Sequence, residues 1–376
     1  MKVNTLSYYI KWGSLCLFLG FAFQCKEKNE TQPLLPKGNP VQRQVIKEQP
    51  KGMATPEGMV WIPGGSFVQG ADEQDTLAMH HEKPAHTVWL DGFFMDITEV
   101  TNAEFSAFVK ATKYVTLAER PVDWELLKQQ LPAGTPRPHD SIMQAGSLTF
   151  SKAKKSLPNL YDFSQWWRWT IGANWKHPHG PDSTIVGKED HPVVHIAYED
   201  ALAYCQWAGK QLPTEAQWEF AARGTQKESI FSWGNASTQL SERANTWEGE
   251  FPVNNTTEDG YKRTAPVKSY PSNSMGLYDM AGNVWEWTSD WYHIGYYKTL
   301  KEKGSTFNPR GADKGFNPDN PRASEKVIKG GSFLCSDSYC ASYRLAARMG
   351  SSIDSSLEHL GFRTVLTPKN RGGTVE

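Results

Sequence analysis

The chain has almost no net charge: 40 Lys and Arg stand against 41 Asp and Glu, a formal balance of −1 over 376 residues. Without an excess of cations nothing is available to displace counterions from a phosphate backbone, so a broad nucleic-acid-binding surface is excluded. Cysteine is sparse, five in all, and a chain with about 300 ordered residues buries enough surface to need no disulfide scaffold. Internal repeats, a Rossmann glycine fingerprint, a P-loop and EF-hand ligand spacing are all missing. What remains is a loop-rich composition: 31 Gly and 23 Pro, with 15 Trp to supply much of the burial. Charged residues at 22% and hydrophobic ones at 39% exclude a chain that is disordered throughout.

The N-terminus reads as an address. Lys2 and Lys11 flank and precede an apolar run over residues 12–23, too short to span a bilayer, that stops at Cys25 before a charged stretch. A short apolar segment ending at a cysteine resembles a bacterial lipoprotein signal, which places the chain in the cell envelope on a lipid anchor, with a periplasm-facing outer membrane as the expected site. Ordinary secretion and a retained anchor are the alternatives. Residues 26–55 are polar and aperiodic and read as a flexible tether. With Cys16 and Cys25 assigned to the signal, Cys205, Cys335 and Cys340 are left. An odd number in an exported protein requires at least one free thiol.

From residue 56 to 367 the pattern is that of one α+β domain dominated by loops, followed by a tail over 368–376. Residues 59–67 read as strand, turn and strand, and 87–90 with 93–95 as a second pair around Asp91-Gly92. Thr101-x-x-Glu104 is a capping box ahead of Phe105, Phe108 and Val109 at helical spacing. A second helix is predicted over 198–208, closed by Gly209, and a third after Thr214-x-x-Gln217, stopping at Gly224. Residues 113–170 read as an insertion. Beyond residue 225 only brief strands are expected, at 326–329 and 361–365.

Cys335-Ser-Asp-Ser-Tyr-Cys340 follows the turn Gly330-Gly331-Ser332 and holds two thiols five residues apart. A local disulfide, a redox pair and a two-thiolate site for a soft cation are all compatible with that spacing. Cys205 falls on the apolar face of its helix and reads as core. His177 with His179, and His191 with His195, sit beside prolines in loops and are weak candidates for metal ligation. Asn245, Asn254, Asn255, Glu258, Asp259, Asp279 and Glu286 make the C-terminal half rich in oxygen donors, compatible with calcium or with ordinary turn chemistry.

Several segments together carry a resemblance. They are Gly58-Met-Val-Trp-Ile-Pro-Gly-Gly-Ser-Phe67, Asp96-Ile-Thr-Glu-Val-Thr-Asn-Ala-Glu-Phe105, Gly172-Ala-Asn-Trp-Lys-His-Pro178 with Gly180-Pro-Asp-Ser183, and His191-Pro-Val-Val-His195. Gln211-Leu-Pro-Thr-Glu-Ala-Gln-Trp-Glu219, Gly276-Leu-Tyr278, Gly282-Asn-Val-Trp-Glu-Trp287, the Cys335/Cys340 loop and Leu360-Gly-Phe-Arg363 complete the set. The sequence resembles the formylglycine-generating enzymes, or sulfatase-modifying factor family, over nearly the whole domain.

The resemblance implies a loop-rich fold related to a duplicated C-type lectin arrangement. It also implies an oxidase that uses O2 and a reductant to convert the cysteine of a Cys-x-Pro-x-Arg segment, in an unfolded sulfatase, to Cα-formylglycine. By the same resemblance Cys335 and Cys340 hold Cu(I), Ser332 and Trp285 line that site, and Tyr339, Arg348 and His359 contact substrate. Two structural calcium ions are implied, one at Asn245, Thr246, Asp259 and Tyr261, the other at Asp279, Gly282, Val284 and Glu286. The sequence departs from the family at Ser336 and Asp337, where the animal-type pattern has basic residues, and at His359, where it has Asn. Ala222, Leu345 and Thr364 stand where some members place disulfide cysteines, which leaves Cys205 a free thiol. Two other functions remain compatible: a non-catalytic envelope lipoprotein of the same fold, and a non-haem iron sulfoxide synthase. The latter's His-x-x-x-His-x-Glu motif is broken here by Ala197 after His191 and His195.

The N-terminal reading is checked by labelling. A fatty-acid analogue fed to expressing cells should tag the wild type and not Cys25→Ala; equal labelling of both would remove the lipoprotein assignment.

Overall fold

The computed structural model describes residues 45–226 and 228–368. The signal ending at Cys25, the tether over 26–44 and the tail from residue 369 lie outside the described residues. The last part of the expected tether is not free: Ile46 donates its amide to Asp91 and accepts from Gly92 N at 2.7 Å, and Trp61 Nε1 donates to the Lys47 carbonyl. The domain therefore begins earlier than the residue-56 boundary expected from composition, because these backbone groups are satisfied by the first strands.

The strands are short and grouped into four small sheets. β1 (Met59–Ile62), β2 (Gly65–Gln69), β3 (His86–Leu90) and β4 (Phe93–Asp96) form the N-terminal half, as the sequence pattern indicates. β5 (Gly146–Phe150) and β6 (Trp167–Ile171) make an antiparallel pair within the insertion. β7 (Trp285–Trp291), β8 (Thr306–Phe307), β9 (Glu325–Lys329), β10 (Met349–Ser352), β11 (Leu360–Gly361) and β12 (Val365–Leu366) complete the set. The four-stranded sheet runs β10-β9-β7-β11, and β12 returns to β4, so the two ends of the domain are joined in one sheet, β1-β4-β12.

The helices are α1 (Asn102–Thr112), α2 (Trp124–Gln130), α3 (Tyr198–Ala208), α4 (Glu215–Arg223), α5 (Leu240–Arg243) and α6 (Tyr296–Lys303). The capping boxes at Thr101 and Thr214 form as their spacing predicts, and Gly209 ends α3 in the left-handed conformation. β7 escapes a period-two reading because Glu286, Thr288 and Asp290 are buried alongside Trp285 and Trp287. α6 escapes because only Tyr297 and Leu300 of its eight residues are buried.

Three buried clusters make the core. The largest joins α1 and α3 to β7 and includes Cys335; the second lies between α4 and β1–β4. The third is mostly aromatic, with Phe150, Trp166, Trp247, Phe251, Phe333 and Leu334, and Trp167 and Tyr339 packed against it. Between clusters, buried ion pairs tie loops together: Arg348 to Glu215, Arg363 to Glu286, Lys329 and Arg223 to Glu219, and Arg344 to Asp75 and Glu82. Where little backbone is paired in ladders, such bidentate links fix one loop relative to another.

Candidate active site

The cysteine loop is built on two glycines. Gly330 and Gly331 both adopt positive φ, and a Cβ on Gly331 would meet the Ser342 carbonyl carbon at 2.8 Å. The two ends of the loop can therefore cross only because a side chain is missing there. Inside it, Cys335 N donates to Ser332 O (2.9 Å), and Ser336 O accepts from Cys340 N (3.1 Å) and Ala341 N (2.8 Å). Ala341 is held at φ +44°, and Arg344 Nε donates to its carbonyl while the rest of that guanidinium binds Asp75 and Glu82.

Both thiols are free, as is that of Cys205. A local disulfide, which the spacing allowed, is thus not the state seen. Burial pushes the Cys335 thiol well up, and its hydrogen bond to Cys340 pushes it further. Burial also acts against the Cys340 thiolate, but the hydrogen bonds from Cys335 and Ser342 outweigh it and hold that group below the usual thiol range. The two shifts run in opposite directions, so Cys340 gives up its proton more readily than Cys335. Two neighbouring sulfurs so placed suit a soft cation, which would displace their protons. Cys205 differs: burial first, then Asp96, raises its pKa to about 12, and it serves as core.

Ser332 and Trp285 converge on the same place. Ser332, fully buried, accepts from Leu334 N (3.2 Å), and its hydroxyl meets His359 Nδ1 at 3.2 Å. Trp285 N donates to His359 O (2.8 Å), and β11 runs parallel to β7 with Leu360 opposite Trp285. His359 lies edge-on to Trp167, ring centroids 4.8 Å apart, and burial followed by the nearby His195 lowers its pKa to about 3. It is therefore a neutral imidazole under ordinary conditions. Tyr339 stacks on Phe251 at 4.6 Å and meets Trp166 edge-on. Of the two loop departures, Ser336 is buried and Asp337 exposed.

Arg348 is elsewhere. Its guanidinium binds Glu215 through Nε (2.5 Å) and Nη2 (2.8 Å), reaches the carbonyls of His81 and His293, and stacks on Tyr292 and Tyr297. None of these partners belongs to the cysteine loop, and at 1% exposure no face is left for a peptide. Its place in the fold is structural rather than substrate-contacting.

The histidine pairs are likewise committed to protein partners. His177 Nδ1 donates to Ser183 O, His179 pairs with Glu358 at 3.0 Å, and His191 meets Thr264. His195 Nε2 donates to Pro178 O (2.8 Å), leaving Nδ1 to accept from Ser147 (2.7 Å). Among the described residues no three His, Cys, Asp or Glu side chains converge as a metal site.

Calcium needs amide and carbonyl oxygens as well, and here orphaned acceptors are informative. Asn245 donates its amide to Arg263 O and Asn283, which leaves its buried Oδ1 without a donor; Thr246 Oγ1 is also unpartnered. Asp259 closes the same loop, accepting from Thr246 N and Tyr261 N. At the second position Glu286 is already bound bidentately by Arg363 and by Trp218 Nε1, while Asp279 accepts from Lys268 N. The residue that sequence reasoning missed is Glu99. It is fully buried with Oε2 unpartnered while Oε1 accepts from Asn283, and burial followed by the Asp279 charge raises its pKa strongly. Two buried carboxyls that repel each other fit a divalent cation better than they fit each other. The signal was present, since Glu99 lies inside the 96–105 segment, but a single acidic residue before a helix cap looks like a surface group.

A family model described as "Sulfatase-modifying factor enzyme 1-like domain" matches residues 42–368. The chain is 43% identical over 309 residues to the formylglycine-generating enzyme of Bos taurus, covering 82% of this chain and 74% of that one. It is 43% identical over 314 residues to the formylglycine-generating enzyme of Thermomonospora curvata, covering 83% and 94%. The solved structure of PvdO from Pseudomonas aeruginosa superposes with a TM-score of 0.53 at 22% identity, covering 82% of this chain and 93% of that one, and shares the fold.

The buried His195 predicts an acid-sensitive domain. Its pKa is lowered to about 4, chiefly by burial, against 6.5 when unfolded. Between those values the unfolded chain binds a proton that the folded one refuses, so stability falls as pH falls through 6.5 towards 4, by up to about 3 kcal/mol. Urea midpoints at pH 7.5 and 4.5 should show this, and His195→Asn, an amide that tolerates the positive φ found there, should reduce the difference, with the buried His359 accounting for part of what remains. An unchanged slope in the variant would place the acid sensitivity elsewhere.

Proposed function

We propose the function of this chain from one premise: it belongs to the sulfatase-modifying factor family, whose members it matches over most of its length. It is a formylglycine-generating oxidoreductase that converts a sulfatase cysteine to Cα-formylglycine. The observation that carries this reading is the free Cys335–Cys340 pair beside Ser332, His359 and Trp285. The thiol pair and the depressed Cys340 pKa support Cu(I) held by these two sulfurs, which when bound supplies a soft centre for the substrate thiolate and O2 chemistry.

The residues' own work can be derived. Of the two thiols Cys340 yields its proton the more readily, and burial makes the Cys335 proton the harder one to lose when a cation enters. Ser332 is oriented by Leu334 N and by neutral His359, and holds a buried, uncharged oxygen beside the cysteine loop. Tyr339, Trp166 and Trp167 form an apolar wall that excludes water from the thiols. Electron balance then requires a reductant: converting the substrate CH2–SH to an aldehyde, with water supplying the oxygen and sulfide leaving, is a two-electron oxidation, whereas reducing O2 to water takes four. The client is an unfolded sulfatase segment with the Cys-x-Pro-x-Arg pattern, met outside the cytoplasm if the Cys25 anchor is used. Calcium at the two oxygen-donor sites, with Glu99 as an added ligand, would neutralise carboxylates that otherwise repel.

Two experiments follow. A Cys-Thr-Pro-Ser-Arg peptide incubated with copper-loaded protein, O2 and a reductant should gain an aldehyde by mass. Cys335→Ala and Cys340→Ala should remain folded yet lose both Cu(I) binding and aldehyde formation, whereas Cys205→Ala should stay active. Absence of Cu(I) binding and of any aldehyde in the wild type would leave the non-catalytic reading.

Calcium is tested by melting. Chelation should lower Tm by several degrees and added calcium should restore it, with Glu99→Ala and Asn245→Ala each weakening the restoration. A Tm indifferent to chelator, with no calcium by elemental analysis, would show that both sites do without it.

A further inference from the structure

β6 is an open edge beside the thiols. Its partner β5 is covered on the far side by residues 356–358: Leu148 N donates to Ser356 O (3.4 Å) and Glu358 N to Leu148 O (3.1 Å). β6 itself pairs only with β5, in the register Phe150 opposite Trp167, Leu148 opposite Trp169, and Gly146 opposite Ile171. Ser151 N donates to Trp166 O and Gly172 N to Ala145 O at the two ends. Alternation between them assigns the hydrogen-bonded positions of β6 to Arg168 and Thr170, and turns the N–H and C=O groups of Trp169 and Ile171 away from β5. Among the described residues nothing accepts from those two amides or donates to those two carbonyls. The Trp169 and Ile171 side chains, on one face, are 40% and 41% exposed.

The edge starts at the chemistry. Trp167 lies against His359, which meets Ser332, and Trp166 lies against Tyr339, the neighbour of Cys340. A chain emerging from the cysteine pair would therefore pass directly onto an unpaired strand about 14 Å long. We propose that β6 docks the client by strand addition: an extended stretch of the polypeptide flanking the reacting cysteine pairs with the outward groups of Trp169 and Ile171. Alternate residues of that stretch lie beside the two exposed side chains, which favours β-branched or aromatic residues there. The inference rests on the formylglycine reading for the identity of the client. It explains why the partner must be unfolded, since a strand already paired in a folded enzyme has no free edge to offer.

The test separates docking from chemistry by measuring binding. The probe is a fluorescein-labelled peptide with the Cys-Thr-Pro-Ser-Arg motif, its cysteine replaced by serine, extended by six alternating Val and Thr residues before or after the motif. By anisotropy, one of the two extended peptides should bind about tenfold more tightly than the bare motif. N-methylation of alternate amides in that flank should abolish the gain, and methylation of the intervening set should not. Trp169→Pro removes an outward N–H without removing a bond to β5, so it should erase the gain while leaving binding of the bare motif and the melting temperature unchanged; Trp169→Ala should retain most of it. Extended peptides that bind no better than the motif, or that ignore N-methylation, overturn the proposal. So does an edge already occupied by a second copy, seen as a concentration-dependent dimer lost in Trp169→Pro with no effect on peptide. Binding that behaves as expected, without aldehyde from the cysteine-containing peptide, would uphold the docking edge and refute the chemistry.

Discussion

One carboxylate holds the molecule's register. Glu286, buried on β7, is gripped by Arg363 through Nε and Nη2, each at 2.7 Å, and by Trp218 Nε1 at the same distance. That single group joins the four-stranded sheet to α4 and to the segment leading into β12. Arg363 extends the link to the carbonyls of Asp96 and Tyr278. Because Gly361 lies opposite Glu286 and Leu360 opposite Trp285, the same clamp sets where the preceding residue, His359, sits against Trp285 and Ser332. Removing either partner would strand an ion in a fully buried position, among the costliest changes available to a core. The Gly282-Asn-Val-Trp-Glu-Trp287 and Gly361-Phe-Arg363 segments are thus two halves of one contact.

A second clamp fixes the reactive loop. Arg344 joins the Ala341 carbonyl to Asp75 and Glu82, so the backbone immediately after Cys340 is anchored to the segment between β2 and β3. Sulfurs borne on a loop are usually mobile; here both ends are constrained, by the Gly330-Gly331 crossing and by this guanidinium. The arrangement keeps two thiols together without a covalent bond.

How much could be read from residues depended on whether the deciding interaction was local. The caps at Thr101 and Thr214 and the stop at Gly209 act within one turn and were legible. The cysteine loop was visible as a pattern, but the choice between disulfide and free thiols was not, because it turns on the loop's geometry. Arg348, given a substrate contact by the resemblance alone, and Glu99, not singled out at all, were illegible for a shared reason: the partners that hold them in the interior lie 133 and 184 positions away, at Glu215 and Asn283. β7 hid behind its buried polar residues. The β5–β6 pair hid within an insertion whose exposed aromatics resembled loop composition.

An unpaired strand edge has a consequence for handling the protein. Two such edges from different molecules can pair as readily as one can pair with a guest, and long open edges seed aggregation. Here the liability is contained by length and charge: β6 is five residues long, carries the exposed Arg168 at its second position, and ends at Gly172 in the left-handed conformation. At the concentrations used for purification and crystallisation, the brevity of that edge is what limits strand-to-strand pairing between copies.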